Sequence, residues 1–275
     1  MTDEEQDVPP GVDPTVPSVA RMYDYYLGGK DNFAADREAA EKIIQIGMQT
    51  GGNIREMARA NRGFLRRAVR HMAEAGVRQF LDIGTGLPTQ DNVHQVVARV
   101  TPDARVVYVD NDPIVLVHAR ALLADTPDTI VIDGDVADPR GILEHPQVRA
   151  HLDFGKPVAI LLAAILHFFH DDDQVAEIVS TFRSALVPGG YLLISHGYVE
   201  HELADPEKME ETREVYRGTS RGAIAWRDAE QVAGYFEGLR LLDPGVVPVQ
   251  DWRNDDPYVP DGLSKGGVLG AVGRR

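Results

Sequence analysis

Phe80-Leu81-Asp82-Ile83-Gly84-Thr85-Gly86 decides the fold of this chain. An apolar run ends in an acid and opens into glycines, and the polar residues Thr89, Asp91 and Asn92 behind it read as the start of a helix. The order is strand, tight turn, helix N-terminus. Glycine serves the turn because a residue without Cβ lets the backbone bend sharply and lie against a ligand. In an open α/β sheet, nucleotide-like ligands bind at such a turn, at the carboxyl end of a strand.

Outward from this turn the chain alternates strands and helices. Arg105 to Asp110 reads as a second strand ending in an acid placed for a ribose diol, and Thr129 to Asp133 as a third, with Gly134 and Asp135 behind it. Pro157 to Ala163 and Tyr191 to Ser195 supply strands four and five, Leu239 to Val247 strand six and Gly267 to Gly273 strand seven. Between them fall a helix from Gln90 to Arg99, a helix capped by Asp112 with Pro113 in its first turn, short helices between Pro139 and Leu152, a helix reaching Leu186, and a last crossover helix from Asp228 to Phe236. Such alternation predicts an α/β, Rossmann-like fold: a seven-stranded, mostly parallel sheet with right-handed crossovers and helices on both faces.

The third position of the glycine pattern narrows the ligand. A dinucleotide site wants glycine three residues after Gly86, but the chain has Thr89 there, preceded by Pro88. No lysine or arginine lies between Gly84 and His94, so nothing welcomes phosphate, and Asp82 and Asp91 would repel it. An uncharged adenosine joined to a sulfonium and an ammonium group suits these acids better. S-adenosyl-L-methionine is therefore the expected cofactor, with Asp82 and the Gly84-Thr85-Gly86 backbone at its amino-acid end, Asp110 on the ribose and Asp135 at the adenine amino group. Asn111 and Val136, beside those acids, join the cofactor-binding set.

These residues resemble a known family. The acidic glycine turn, Asp110, Gly134-Asp135 and Leu186-Val187-Pro188-Gly189-Gly190-Tyr191 look like the motif series of class I methyltransferases. The run from Pro17 through Tyr23-Asp24-Tyr25-Tyr26-Leu27-Gly28-Gly29-Lys30-Asp31-Asn32-Phe33, together with Asn61-Arg62-x-Phe64, Leu166-His167-Phe168 and Ser195-His196, is similar to a bacterial S-adenosyl methyltransferase family formerly catalogued as a domain of unknown function. The resemblance spans nearly the whole chain from Pro17. It implies the class I fold, in which strand seven inserts antiparallel, and S-adenosylmethionine as cofactor.

Composition sets the outer bounds. At 275 residues and 43% hydrophobic content the chain can bury a full core. Cysteine is absent, so disulfides, thiolate nucleophiles and cysteine metal sites are excluded. A formal charge of −15 argues against nucleic acid as a partner and leaves a small-molecule substrate as the default. The acidic, proline-rich start does not read as a signal peptide, and Val158 to Leu166 is too short to span a bilayer, so no membrane association and a cytoplasmic location are expected. Oligomeric state is not fixed by these features.

Residues 1–16 read as a disordered tail, 17–60 as an N-terminal helical cap or lid, and 61–275 as the main domain, with a cap insertion at about 197–226. Helices are expected from Ser18 to Gly28-Gly29, from Ala34 to Gln49 and from Asn53 to Ala75. Tyr23, Tyr25 and Tyr26 cannot all face one side of a helix, and Tyr25 is taken as the one free to cover a cofactor. On the third helix Arg55, Arg59, Arg62, Arg66 and Arg70 share a face at spacings of three and four, and Arg62 is the candidate clamp for a ligand carboxylate.

For chemistry, His167 at the exit of strand four and His196 at the end of strand five are the candidate general bases. His167-x-x-His170 followed by Asp171, Asp172 and Asp173 is read as a helix cap, and no metal site is expected. The expected activity is S-adenosylmethionine-dependent O- or N-methylation of a small molecule in specialised metabolism. Two alternatives stay open: a non-catalytic regulatory protein that binds the cofactor, and an NAD(P)-dependent oxidoreductase.

Overall fold

The computed structural model describes residues 8, 11–88, 91–123, 126–200, 204–255, 263 and 267–275. Three helices open the chain: α1 (Val19–Leu27), α2 (Ala34–Gln49) and α3 (Ile54–Glu74). The α/β alternation follows as β1 (Gln79–Ile83), α4 (Val93–Ala98), β2 (Arg105–Asp110), α5 (Pro113–Leu122), β3 (Thr129–Asp133), α6 (Pro139–Glu144), α7 (Pro146–His151), β4 (Ala159–Ala163), α8 (Asp172–Ser184) and β5 (Tyr191–Tyr198). The rest is α9 (Pro206–Arg217), α10 (Ala229–Gly234), β6 (Arg240–Leu241), β7 (Val247–Pro248) and β8 (Gly267–Arg274).

The strands form one sheet in the order β3-β2-β1-β4-β5-β8-β6, with β7 also pairing to β8. β1 to β5 are parallel, and strand order reverses between β1 and β4, which opens a crevice beside the glycine turn. β8 runs antiparallel along the whole of β5, from Tyr191 opposite Arg274 to Tyr198 opposite Gly267. That pairing carries β5 to Tyr198, beyond the expected end at Ser195. The expected sixth strand is instead two short ones, β6 and β7, because the turn at Asp243-Pro244-Gly245 lies between them and Gly245 N–H closes it on the Leu242 carbonyl. Helix α4 starts at Val93 behind an Asn92 capping box; the expected first residue Gln90, like Thr89, lies outside the described residues.

Side chains alternate across the central strands, so both faces are buried, as a covered parallel sheet requires. Leu81, Ile83, Val107, Ile160, Leu162 and Ile194 meet the side of α6 and α8, while Phe80, Val106, Ala159, Leu161 and Leu193 meet α3 and α4. The second face is closed by Trp252, fully buried edge-on against Phe64 with ring centroids 5.4 Å apart. Arg67, itself buried, holds this loop by donating to the Trp252 carbonyl at 2.9 Å and the Val249 carbonyl at 2.6 Å.

The N-terminal helices form a cap together with the insertion. Met22, Tyr26, Ala39, Ala40, Ile43 and Ala58 share a separate apolar cluster with Tyr216 of α9. A buried polar network ties this cap to the sheet. Asp36 accepts from the Ser18 and Phe33 backbone N–H groups and from Arg21 Nε, each at 2.8 Å. Ser18 Oγ and Arg21 in turn meet Asp112, the N-cap of α5. Part of the segment expected as a tail is also packed here: Val12 lies against Leu87, Ile114 and Val115, whereas residues 1–7 and 9–10 lie outside the described residues. Among the described residues no helix is long and apolar enough to cross a membrane.

Candidate functional site

A cavity of about 690 Å³ runs from the glycine turn after β1 to the underside of the cap. Its floor is built by the turn itself. Gly84 and Gly86 adopt φ of 70° and 66°, left-handed values that glycine reaches without the Cβ penalty. A Cβ on Gly84 would meet the Ile165 side chain at 2.8 Å, so the exit of β4 packs directly on the turn. A Cβ on Gly86 would meet nothing within 4 Å, which leaves that position an open cradle.

Asp110 braces the floor from β2. Its carboxylate accepts from Gly86 N–H at 2.8 Å and Asp112 N–H at 3.0 Å, fixing both loops, and burial raises its pKa. Asp82 lies beneath, on β1, and burial pushes its carboxyl up to about 7 against the pull of Arg62, with Asp110 adding to the rise. Thr85 is fixed through its hydroxyl, which donates to the Asp82 carbonyl at 3.1 Å. At the exit of β4, Ala164 holds φ of 53°, a strained value for a residue with a Cβ. Its N–H is pinned by the Ser195 carbonyl at 3.1 Å and the Ser195 hydroxyl at 2.9 Å.

Of the five arginines expected on one face of α3, only Arg62 lines the cavity, where it also reaches the Asp91 carbonyl at 3.4 Å. Arg55 pairs with Glu41 at 3.0 Å, Arg59 with Glu56, and Arg66 and Arg70 with Asp255. Among the tyrosines the placement differs from the expectation. Tyr23 and Tyr26 line the cavity, while Tyr25 turns away, donating to Glu41 at 2.5 Å under the Arg55 guanidinium. Residues three apart on a helix share a face, and Tyr25 is two from Tyr23.

At the end of β3, Asp135 lines the cavity but Val136 points into the core beneath it. Asp135 accepts from Asn111 Nδ2 at 3.0 Å and from Arg221 at 3.3 Å, and Arg221 also donates to Asn111 Oδ1 at 3.1 Å. Arg221 belongs to the insertion, so that segment reaches the far rim of the site. Nothing local in the sequence announced it.

The two histidines sit together, ring centroids 5.7 Å apart, but neither offers the free lone pair that a base needs. His167 lines the cavity and its Nδ1 accepts the Gly197 N–H at 3.2 Å, which places the ring proton on Nε2 and makes that atom a donor. Burial, followed by His196 and Arg227, lowers its pKa to about 3. His196 is fully buried behind the wall, with Nδ1–H donating to the Gly197 carbonyl at 2.8 Å and Nε2 facing Arg227 at 3.0 Å. Burial is the main reason that its pKa falls to about 4. Arg227, itself buried, is completed by Asp172, to which Nε donates at 2.9 Å. Asp171 caps α8 by accepting from the Asp173 and Gln174 N–H groups, the role read for it in the sequence.

The chain matches, over residues 5–275, the family model described as S-adenosyl methyltransferase. Among solved structures it is similar to a candidate methyltransferase from Thermobifida fusca, at 42% identity and a TM-score of 0.87, covering 97% of this chain and 98% of that one. It is also similar to a DUF574 family protein from Streptomyces avermitilis, at 40% identity and a TM-score of 0.85, covering 96% and 99% of the two chains. An O-methyltransferase family protein from Burkholderia thailandensis shares the fold at 17% identity, with a TM-score of 0.51 and coverage of 77% and 55%. No curated protein matches the chain.

Proposed function

The chain belongs to the S-adenosyl methyltransferase family and is an S-adenosylmethionine-dependent methyltransferase; from that premise we propose that it methylates a hydroxyl or amino group on a small molecule enclosed in the cavity. The observation that carries this reading is the cap. Helices α1, α2 and α9 cover the carboxyl ends of the strands and leave an internal space of about 690 Å³, within the range of small-molecule sites. The lining changes character along that space, from the carboxylates Asp82, Asp110 and Asp135 at the turn to Ile43, Ile54 and Met57 under the cap.

The donor set suits the cofactor. Gly86 leaves room at the turn, and Asp82 offers a buried carboxyl to a cation. In this reading Asp82 and Arg62 hold the ammonium and carboxylate of the amino-acid end, Asp110 the ribose, and Asn111 and Asp135 the adenine edge. S-adenosylmethionine supplies an electrophilic methyl group when bound. The chain's own contribution is to align the acceptor with that methyl in a largely apolar cavity, so proximity and desolvation supply most of the rate. His167 serves as a hydrogen-bond donor to the acceptor rather than as a base, and His196 with Arg227 supports the wall behind it.

Isothermal titration with S-adenosylmethionine, S-adenosylhomocysteine and an NADH control tests the cofactor assignments. Both sulfur nucleosides are expected to bind and NADH not to. Asp110→Ala should weaken both by about a hundredfold, the loss of a charged ribose partner, while the protein stays folded. Unchanged affinity in a folded Asp110→Ala variant would remove Asp110 from the site.

A further inference from the structure

Asn61 carries a buried acceptor that the described protein leaves empty. It is 3% exposed, it lines the cavity, and its Oδ1 has no hydrogen-bond partner. The orientation of the amide follows from its neighbours. Tyr23 Oη donates its single proton to the Ala58 carbonyl at 3.1 Å, so toward Asn61 it can only accept, and Asn61 Nδ2 donates to it at 3.0 Å. The oxygen is thereby turned away from Tyr23. A buried acceptor without a partner is costly and points to a ligand that supplies the donor.

The surroundings say what kind of donor. A cationic ammonium is drawn to the Asp82 carboxylate rather than to a neutral amide oxygen. Tyr23 and Ala58 stand on its own side of the cavity wall, with Met57 one turn and Ile54 two turns earlier on α3, and the guanidinium of neighbouring Arg62, which also lines the cavity and acts on Tyr23, disfavours a cationic donor. Phe168 and Trp226 add aromatic faces elsewhere in the same lining. We propose that Asn61 Oδ1 is the recognition point for the methyl acceptor, and that the acceptor is an apolar, aromatic molecule presenting a neutral O–H or N–H, with phenols and indoles as the simplest members of the class. The inference rests on the reading of the cavity as a methyl-transfer site. It gives Tyr23 a positioning role, since the tyrosine hydroxyl sets which end of the carboxamide faces the ligand.

The test uses probe pairs that differ by the donor alone: indole against indene, and phenol against toluene. Each is titrated into full-length protein saturated with S-adenosylhomocysteine. The donor-bearing member of each pair should bind wild type about tenfold more tightly, Asn61→Leu should reduce that preference to within about twofold, and S-adenosylhomocysteine affinity should stay within about twofold of wild type. Tyr23→Phe keeps the carboxamide but frees its orientation, and an intermediate preference is expected; this variant carries the test if Asn61→Leu does not fold. Equal binding of the two members to wild type, or no binding of either, overturns the proposal. So does an Asn61→Leu variant that loses S-adenosylhomocysteine affinity, because Asn61 would then serve the cofactor. Failure of wild type to bind S-adenosylhomocysteine would instead sink the underlying reading of the site.

Discussion

Asp82 sits where a neutral and a charged carboxyl are nearly balanced, since burial has brought its pKa to about 7. A ligand cation favours the ionised form, so in the proposed site cofactor binding releases a proton at and below neutral pH. Affinity should therefore rise with pH up to about 7, by close to tenfold per unit at the steepest, and level off above it. Titration in buffers of different ionisation enthalpy would read the released proton directly, and Asp82→Asn should abolish both effects. An affinity independent of pH between about 5.5 and 8.5 would separate Asp82 from the cofactor. For the unliganded protein the sign is opposite. A carboxyl with a raised folded pKa binds a proton more tightly in the native state, so its contribution to stability falls as pH rises from the ordinary carboxylate range to about 7.

The cap shows how far an element can be read locally and where that reading stops. Helix α2 runs from Ala34 to Gln49 as expected, and α1 and α3 end within a residue or two of their expected bounds. The stop signals Gly28-Gly29 and Thr50-Gly51 and the Asn53 N-cap act within their own turns, so they are legible without the rest of the molecule. The facing of side chains is another matter. Tyr25 was the expected cavity residue, yet Tyr23 and Tyr26 face inward because α1 lies with its Met22–Tyr26 side on α2, α3 and α9. The stability of the cap rests on the network of Asp36, and Asp36→Ala would leave Arg21 as a buried cation with only the more distant Asp112, at 3.6 Å, as an acidic partner. Urea denaturation should show a loss of about 3 kcal/mol, in the range for breaking a buried pair. A loss of only a few tenths would mean that the network is ornamental to the fold.

At the scale of the whole molecule, antiparallel β8 between β5 and β6 gives the sheet its class I ending, and with the family match it sets aside the nicotinamide oxidoreductase alternative. The sheet also explains the buried histidines. His196 is enclosed because β5 is an inner strand paired to β4 and β8, and Arg227 and His167 are held against its ring. Both have depressed folded pKa values, so below about 6.5 the unfolded chain takes up protons that the native state refuses, and stability falls as pH drops toward 4. In an Asp82→Asn background, which removes one of the buried carboxyls whose raised pKa opposes this trend, Asp24 and Asp110 being others, His167→Gln should make the fall of the unfolding free energy shallower by up to about 1.4 kcal/mol per pH unit. An unchanged slope between about pH 6.5 and 4 would mean that His167 protonates freely in the native state.

The sequence by itself determined the first four strands, the glycine turn, the acids that follow it and the cofactor class, because each is encoded in a few adjacent residues whose backbone needs are local, whereas the end of β5 and the split of the expected sixth strand into β6 and β7 depend on pairing with β8. Only the tertiary structure decided that Arg62 alone of five arginines lines the cavity, that Arg221 reaches the rim from the insertion, that His196 is locked behind the wall against Arg227, and that the buried Asn61 oxygen is left without a partner among the described residues. Those placements depend on which helix face is buried against which partner. That is fixed by contacts between residues far apart in the chain, such as Tyr26 with Tyr216 and Asp135 with Arg221, and no window of sequence contains both members of such a pair.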